Sequence, residues 1–359
     1  MQNMTGILDV FTFWPLLAIL GGVFIGIIFG SIPGLTATMA VALCLPLTFG
    51  MVPITALSLL IGLYIGGISG GLIPAILINI PGTPASIATT FDGYPMAQNG
   101  EAGRALGIAI LYSFLGAIVG CLVLFFVAPP LARFAIKFGS FEYFAISVFA
   151  LTLVAGLAGN NLLKGAASAT LGMLIAMIGA APVDSYTRFT FGFDPLESGL
   201  SLLPVLLGLF AVAEVLKFAE NPQNSSSVPT PKVRLGGFFG VTWPEFKTFF
   251  PNFMRSSAIG VSVGLLPGIG AAASNMLAYV AARSASKQPE SFGKGNPQGI
   301  VATESANNAG VGSAMVPLIA LGIPGDSVTA LLLGGFLIHG IQPGPLMFVT
   351  NGPLVYSIF

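Results

Sequence analysis

The chain has 359 residues, of which 55% are hydrophobic and only 7% are charged. Because about a quarter of the residues of a soluble domain are charged, this composition excludes an ordinary soluble fold and predicts a protein with an apolar, lipid-facing surface. The 13 basic residues balance the 13 acidic ones, and without a basic patch the chain is not expected to bind nucleic acid.

The predicted elements follow from apolar runs long enough to cross a bilayer, which takes about 20 residues. An apolar region interrupted by glycine and proline comes first, then uninterrupted spans, and then a second interrupted region. In chain order these are 14–90, the spans 104–130, 143–159, 162–182 and 199–218, and the second interrupted region at 254–350. Between them lie a Ser/Pro-rich polar stretch at 219–235 and an aromatic stretch at 236–251, which predict a linker and an interfacial segment.

These elements predict three units. An N-terminal membrane half at 1–218 contains a repeat element at 14–107, a linker with its interfacial segment occupies 219–253, and a second repeat element occupies 254–359. Lysine and arginine are more frequent on the linker side of the four spans, which places the linker in the cytoplasm.

The two interrupted regions resemble each other. Residues 30–35 read GSIPGL and 264–269 read GLLPGI, while 74–82 read PAILINIPG and 317–325 read PLIALGIPG. The shared order predicts an all-α, polytopic transmembrane bundle with two related repeats that contain discontinuous or re-entrant helices, and the repeats could be inverted. The alternative is that apolar sequence rich in Gly and Pro gives such matches by chance.

The four Pro-Gly pairs, called the breaks below, free backbone groups inside the membrane. Proline lacks an N–H and glycine allows a sharp turn, so N–H and C=O groups must find partners in protein, water or a ligand. A helix that begins after a break directs its N–H groups and positive dipole end toward it, which favours an anion, whereas the carbonyls of the preceding helix favour a cation.

Polar residues at the breaks are the candidate site residues. For an anionic substrate they are Thr36, Thr38, Gly82, Thr83, Ser86, Ser274, Asn275, Gly325, Asp326 and Ser327. For a coupling ion they are Glu304, Asn307 and Asn308, with Na⁺ placed at the two asparagines, and Glu304 or Asp326 as a proton carrier. The alternative reading is structural: helix capping by Thr83, Ser86, Asp326 and Ser327, and hydrogen bonding between helices by the two asparagines.

One competing reading concerns catalysis. Residues 67–70 read Gly-Ile-Ser-Gly, a string of the kind that intramembrane serine proteases use, with Ser69 as nucleophile and His339 as base. The string is weak in a chain with 47 glycines, where close helix packing is the simpler purpose. We therefore expect that the protein is not an enzyme and that His339 has a structural role.

Several long strings around the breaks resemble the large membrane subunit of tripartite tricarboxylate transporters, the TctA family. They are GSIPGLTATMAVALCLPLTFGM (30–51), PGTPASIATTFDGYPMAQNGEAGRALG (81–107), GLLPGIGAAASNMLAY (264–279), ESANNAG (304–310) and LGIPGDSVTALLLGGFLIHGIQPGP (321–345). The resemblance runs through the whole chain and is densest in the two interrupted regions.

The resemblance implies a permease in the bacterial inner membrane that takes up citrate-like carboxylates by ion-driven symport. It implies a small membrane subunit and a periplasmic solute-binding protein as partners, and no cofactor other than a coupling ion, Na⁺ or H⁺. Family members run longer, which implies that the second repeat element is incomplete at its C-terminal end. A passive channel or a scaffold subunit is the alternative function.

Overall fold

A computed structural model describes residues 5–156, 162–181, 186–200, 204–205, 207–220 and 239–359. The first part of the chain forms helices α1 (Thr5–Asp9), α2 (Phe13–Ser31), α3 (Ala37–Cys44), α4 (Pro53–Gly70), α5 (Leu72–Ile78), α6 (Thr89–Met96) and α7 (Ala102–Ala135). Short 3-10 turns at Leu45–Gly50 and Pro84–Ser86 and a π turn at Ala97–Glu101 join some of them.

The middle and last parts of the chain are also helical. They form α8 (Ser140–Gly156), α9 (Leu162–Ala176), α10 (Ala213–Glu220), α11 (Trp243–Gly264), α12 (Gly270–Ser284), α13 (Pro297–Leu321), α14 (Ser327–Ile338), α15 (Met347–Thr350) and α16 (Gly352–Ile358). The strands β1 (Gly179–Ala180) and β2 (Thr187–Arg188) form a small antiparallel hairpin in which Gly179 pairs with Arg188.

The all-α membrane class predicted from the sequence is confirmed. Among the described residues, three helical stretches are long and apolar enough to cross a bilayer: Phe13–Ser31, Pro53–Ile78 and Thr89–Ala135. The predicted span at 104–130 lies inside the last of these, within α7.

Two predicted spans differ in detail from the observed elements. The span at 162–182 ends earlier, because α9 stops at Ala176 and Gly179 takes a left-handed backbone conformation (φ 109°) that begins the hairpin. The span at 199–218 includes residues outside the described ones; its described part contains a π turn at Leu207–Val212 and most of α10.

The predicted linker and interfacial segment fall partly outside the described residues, which exclude 221–238. From Trp243 onward the aromatic stretch forms the first part of α11, a helix that continues without interruption to Gly264. Thr242 caps this helix through a capping box: its backbone N–H and hydroxyl both donate to the Glu245 carboxylate, at 2.9 and 2.8 Å.

Two parts of the bundle have the same order of elements around their breaks, and we call 13–96 the first break region and 243–338 the second. In each, a long helix ends before a break, a shorter helix follows, a second long helix ends before another break, and a new helical segment begins. Whether these regions are repeats related by symmetry stays a prediction.

Close backbone contacts set the direction of the long helices in the first break region. A β-carbon on Gly62 would lie 2.8 Å from the Ile19 carbonyl oxygen, and one on Gly70 would lie 2.6 Å from that of Ile27. The same sequence offset at both contacts means that α2 and α4 run in parallel. Glycine is required because any side chain would meet the neighbouring backbone.

In the second break region α11 and α13 also run in parallel. The Asn252 side chain donates to the Gln298 carbonyl (2.9 Å), and twelve residues later a β-carbon on Gly264 would lie 2.7 Å from the Gly310 carbonyl oxygen. Between them α12 runs the opposite way, since Ser274 contacts the Ala306 carbonyl (3.3 Å). The pair α11–α12 therefore returns toward the end of the bundle where it began, as a re-entrant hairpin does.

The central helices of the two regions run in opposite directions. Near the end of α4, the Ser69 hydroxyl donates to the Asn308 side chain of α13 at 3.1 Å. Earlier in α4, Tyr64 bonds to Asp326, whose neighbour Gly325 packs against the Ala314 carbonyl further along α13. Later residues of α4 therefore contact earlier residues of α13, so the two helices are antiparallel.

Candidate functional site

All four breaks meet at one cavity inside the bundle, which we call the break cavity. Its volume is about 260 Å³, near the lower end of the roughly 300–1,000 Å³ typical of small-molecule sites. Each break contributes the residues that directly follow it: Thr36–Thr38, Thr83–Ala85, Gly268–Ala271 and Asp326–Val328, with Ile68 of α4. Residues as far apart in sequence as Thr36 and Val328 thus share one wall of small and hydroxyl-bearing side chains.

At the first break, Thr36 begins α3. Its hydroxyl oxygen accepts a hydrogen bond from the Met39 backbone N–H (3.1 Å), which satisfies one of the free N–H groups of the first turn. Two residues on, the Thr38 hydroxyl lies 3.2 Å from the Ser327 hydroxyl at the start of α14. This contact joins the two break regions across the cavity.

At the second break, Thr83 and Ser86 form a tight turn. The Ser86 hydroxyl accepts from the Thr83 backbone N–H (3.2 Å) and donates to the Thr83 carbonyl (2.9 Å). The Thr83 hydroxyl, which belongs to the cavity lining, is buried and has no hydrogen-bond partner in the described part of the chain. A buried hydroxyl without a partner is costly, so it is a free hydrogen-bonding group for a solute in the cavity.

At the third break the backbone itself forms the wall. Gly268 and Gly270 have positive φ angles of 85° and 66°, and α12 begins without a side-chain cap. A β-carbon on Gly270 would lie 2.7 Å from the Asp326 β-carbon. Glycine is needed here both for the turn and for space, and the uncapped first turn leaves its N–H groups directed at the cavity.

At the fourth break, Asp326 caps α14. Its carboxylate accepts from the Thr329 backbone N–H and hydroxyl, both at 2.8 Å, and the Thr329 hydroxyl accepts from the Asp326 N–H. The other carboxylate oxygen accepts from the Tyr64 hydroxyl at 2.5 Å. Asp326 is thus fixed by its own helix and by α4.

The electrostatic character of the break cavity combines opposing contributions. The N-terminal ends of α3, α12 and α14 meet there, and each carries a partial positive charge that favours an anion. Asp326 is the one charged side chain among the lining residues, and its carboxylate opposes an anion. An anion would therefore be held by backbone N–H groups and hydroxyls.

A second polar cluster lies beside the cavity, on α13. Glu304 is fully buried, and its carboxylate accepts from the hydroxyls of Thr89 (2.6 Å) and Ser113 (2.9 Å). Among the described residues both ion pairs involve Arg104, so Glu304 has no ion-pair partner there. Burying an unpaired carboxylate costs several kcal/mol or more, so hydroxyl donors alone do not compensate for it.

The two asparagines of the predicted ion site differ sharply. Asn308 is satisfied: it accepts from Ser69 and donates to the Glu304 carbonyl (3.1 Å). Asn307 is fully buried, and neither its amide nitrogen nor its carbonyl oxygen has a partner. It shares a helix face with Thr303, which contacts Thr89 (3.2 Å), and with Ala314, which contacts the fourth break.

The predicted substrate residues fall into two groups. Thr36, Thr38, Thr83, Asp326 and Ser327 line the break cavity. Gly82, Ser86, Ser274, Asn275 and Gly325 lie behind it: the serines bond to backbone carbonyls, Asn275 accepts from the Ala88 N–H (2.9 Å), and the glycines pack against backbone. The structure thus assigns them no direct contact with a solute in this cavity.

Sequence reasoning missed the partners of the acidic groups, namely Tyr64, Thr329, Thr89 and Ser113. A tyrosine in the middle of an apolar helix was the one available signal, because its hydroxyl needs a partner in the membrane. Ser69, considered as a nucleophile, donates to Asn308, and no hydrogen bond joins it to His339. The buried His339 Nε2 has no partner.

Comparisons with known proteins point to one family. Residues 16–359 match the family described as "Tripartite tricarboxylate transporter TctA family". An uncharacterised 52.8 kDa protein in the TAR-I ttuC′ 3′ region of Agrobacterium vitis is 38% identical over 337 residues, which cover 94% of this chain and 66% of that protein.

A second relative, an uncharacterised protein in the TAR-II ttuC′ 3′ region of the same organism, is 38% identical over 99 residues, or 28% of this chain and 41% of that protein. The chain thus spans less than two thirds of either relative over the matched length. No solved structure matches.

Proposed function

Because this chain belongs to the TctA family of tripartite tricarboxylate transporters, we propose that it is the membrane permease subunit of a binding-protein-dependent secondary transporter. Its substrates are citrate-like carboxylates, and an ion gradient drives their uptake by symport. Its partners are a small membrane subunit and a periplasmic solute-binding protein, and its location is the bacterial inner membrane.

The observation that carries this proposal is the convergence of the four breaks on one cavity. Three helices begin there, and the first turn of α12 has no side-chain cap. Discontinuous helices whose N-terminal ends point at an anionic group are a recurrent solution for substrate binding in secondary transporters. Backbone N–H groups and the hydroxyls of Thr38, Thr83 and Ser327 are the proposed ligands of the substrate carboxylates.

Ion coupling is proposed from the buried polar groups of the second break region. Glu304 has hydroxyl partners and no ion-pair partner among the described residues, so in the membrane it holds a proton or a bound cation. We assign the proton to Glu304, because Thr89 and Ser113 occupy both of its oxygens and leave no open set of oxygen ligands. Asp326, inside the break cavity, is the second group whose charge a cation would neutralise.

Sodium is the alternative coupling ion, and Asn307 is its proposed ligand. The side-chain oxygen of Asn307 is buried and has no hydrogen-bond partner among the described residues, so it is free to ligate a cation. Oxygen atoms are the ligands that hard cations prefer. An Asn307→Leu variant should abolish a sodium requirement and leave proton-driven uptake unchanged.

The proposal is tested by uptake of radiolabelled citrate and succinate into proteoliposomes that hold the complete transporter, with the binding protein outside. Sodium and pH gradients are imposed separately, together or not at all. We expect accumulation above equilibrium only when a gradient is present.

Two results would overturn parts of this proposal. Equal fluxes with and without gradients would make the protein a passive channel. The absence of any carboxylate flux, in vesicles where the partner subunits are shown to assemble, would refute the substrate class. A Thr83→Val variant with unchanged uptake would remove that hydroxyl from the site.

A further inference from the structure

A second cavity lies away from the breaks, between α6, α12 and the loop that precedes α13. Its volume is about 620 Å³. Its walls are largely apolar and aromatic, with one basic residue: Phe91, Met276, Tyr279, Val280, Arg283 and Phe292. We call it the Arg283 groove.

The aromatic wall of the groove is held in place by hydrogen bonds. The Tyr279 ring packs edge-to-face against Phe91 (5.2 Å between centroids) and Phe292 (5.6 Å), and its hydroxyl donates to the buried Asp92 carboxylate (2.9 Å). The same carboxylate accepts from three backbone N–H groups of the loop, at residues 293, 295 and 296. The groove is therefore a formed feature with a rigid wall.

Apolar side chains at and beside the groove are exposed at the surface of the bundle. On α12, Met276, Leu277 and Val280 are 39%, 54% and 57% exposed, and on α6 Phe91 is 37% exposed. Helix α12 begins at the break cavity and rises about 1.5 Å per residue, so Arg283 lies about 20 Å from the break, at the level of the membrane surface. The apolar lining thus lies at the depth of lipid acyl chains, and the guanidinium lies at the depth of the headgroups.

The charge around the groove is positive. Arg283, Lys287 and Lys294 are exposed in this segment, with Glu290 as the one exposed acid between them. Among the described residues Arg283 has no carboxylate partner, and the nearby Asp92 is buried and already fully hydrogen-bonded. The segment also lies at the end of the bundle where α11 starts, the end that the basic-residue count assigns to the cytoplasm.

We propose that the Arg283 groove is a binding site for an anionic phospholipid of the cytoplasmic leaflet. The guanidinium of Arg283 binds the phosphodiester, and one acyl chain lies along Met276, Val280 and Phe91. Basic pockets between membrane helices on the cytoplasmic side bind anionic headgroups through the same combination of charge and depth. This site does not depend on which solute or ion the break cavity binds.

The test is native mass spectrometry of the complete transporter, delipidated in mild detergent and titrated with phosphatidylglycerol or phosphatidylcholine. We expect the wild-type protein to retain phosphatidylglycerol preferentially. Arg283→Gln should weaken its retention about fivefold, the effect of one basic residue at an anionic membrane surface. Val280→Trp, which fills the groove and keeps the charge, should weaken it as well.

The controls separate this site from general surface charge. Arg283→Lys should keep most of the retention, and Lys137→Gln, the same charge change on an exposed lysine after α7, should have no effect. Equal retention of both lipids, or unchanged retention in either Arg283→Gln or Val280→Trp, overturns the proposal. Displacement of the lipid by inorganic phosphate or citrate would also overturn it, since the groove would then bind a small anion.

Discussion

The two break regions share an order of elements but differ in the polarity of their central helices. Helix α4 carries no charged residue, and its buried or half-buried polar groups are the hydroxyls of Thr55, Ser58, Tyr64 and Ser69. Helix α13 buries Glu304, Asn307 and Asn308. Of the two central helices, α4 therefore contributes only hydroxyl groups, whereas α13 also contributes carboxyl and amide groups.

The difference teaches how the regions depend on each other. Two acids of the second region, Asp326 and Glu304, each accept a hydrogen bond from a hydroxyl outside that region: Tyr64 donates to Asp326, and Thr89 donates to Glu304. A change in the protonation of either acid alters a contact between the regions. In the proposed function, this is how ion binding would be linked to the shape of the break cavity.

The largest expected effect comes from breaking the contact between Tyr64 and Asp326. Tyr64→Phe removes the hydroxyl and leaves a half-buried carboxylate oxygen without its donor. Hydrogen bonds to charged groups contribute about 1.5–3 kcal/mol, so the free energy of unfolding should fall by about that amount. Thermal unfolding in detergent measures it. Tyr356→Phe is the control, because that hydroxyl makes no hydrogen bond to any residue that the structure describes; equal destabilisation by both would contradict the assigned role.

The second prediction concerns the carboxyl group of Glu304 on α13. Glu304→Gln keeps the shape of the side chain and one acceptor oxygen but cannot bind and release a proton. A gradient of one pH unit corresponds to about 1.4 kcal/mol per proton, so steady-state accumulation should fall about tenfold per unit imposed. Exchange of labelled for unlabelled carboxylate, which needs no net proton movement, should continue.

Accumulation that still follows the pH gradient in the Glu304→Gln variant would move the proton site elsewhere, with Asp326 as the next group to test. Glu290→Gln provides the control, because Glu290 is an exposed acid of the same region outside the break cavity.

The third prediction concerns the hydroxyl group of Thr38 in the first break region. Thr38→Val preserves the side-chain shape and removes the hydroxyl that faces Ser327. Loss of one hydrogen bond worth about 0.5–1.5 kcal/mol should raise the KM for the carboxylate about two- to tenfold, with an unchanged dependence on the ion gradient. Ser31→Ala is the control, since that hydroxyl bonds to the Ile28 carbonyl outside the cavity. A changed ion dependence would contradict the assignment of this hydroxyl to substrate binding and of ion coupling to the acids of the second break region.

The smallest effect is expected where the second break region begins. The backbone N–H of Thr242, with further contributions from its hydroxyl and from Arg104, lowers the pKa of Glu245 below its usual 4.5. A lowered pKa in the folded state contributes stability above the unfolded value, and this is lost as the pH falls through the folded value. Glu245→Gln should therefore cost about 0.5 kcal/mol at neutral pH and almost nothing in strong acid.

Thermal unfolding as a function of pH measures this difference. Glu101→Gln is the matched control, because Glu101 contacts the same Arg104 but caps no helix. At the start of the first break region, Thr12 makes no capping bond to α2, so no comparable pH effect is expected there. An equal pH effect for Glu101→Gln would assign the stability to Arg104 and remove the role of the cap.

The sequence carried more information about the breaks than about their partners. Pro-Gly pairs are local signals, so the positions of the breaks and the cap residues Thr36 and Asp326 could be predicted from them. The face on which a side chain lies depends on where the new helix begins. Ser274 and Asn275 follow a break closely, yet the turn at Gly270 directs them toward α13 and Ala88.

Contacts between distant residues could not be predicted in the same way. Tyr64 and Asp326 are 262 positions apart, and Thr89 and Glu304 are 215 apart. Nothing in either local sequence specifies the other partner, because the match depends on how α4, α6 and α13 are placed relative to one another. The likeness to a family indicated the class of protein but not these pairs.

The glycine contacts between α2 and α4 have a mechanical consequence. Carbonyl oxygens of α2 lie within 2.8 Å of the positions that β-carbons would take on α4, at Gly62 and again two turns later at Gly70. Sliding by even one residue, about 1.5 Å, would bring these backbones into collision. We therefore expect the pair to travel as a single stiff body during any transport cycle, with the deformation confined to the contacts that surround it.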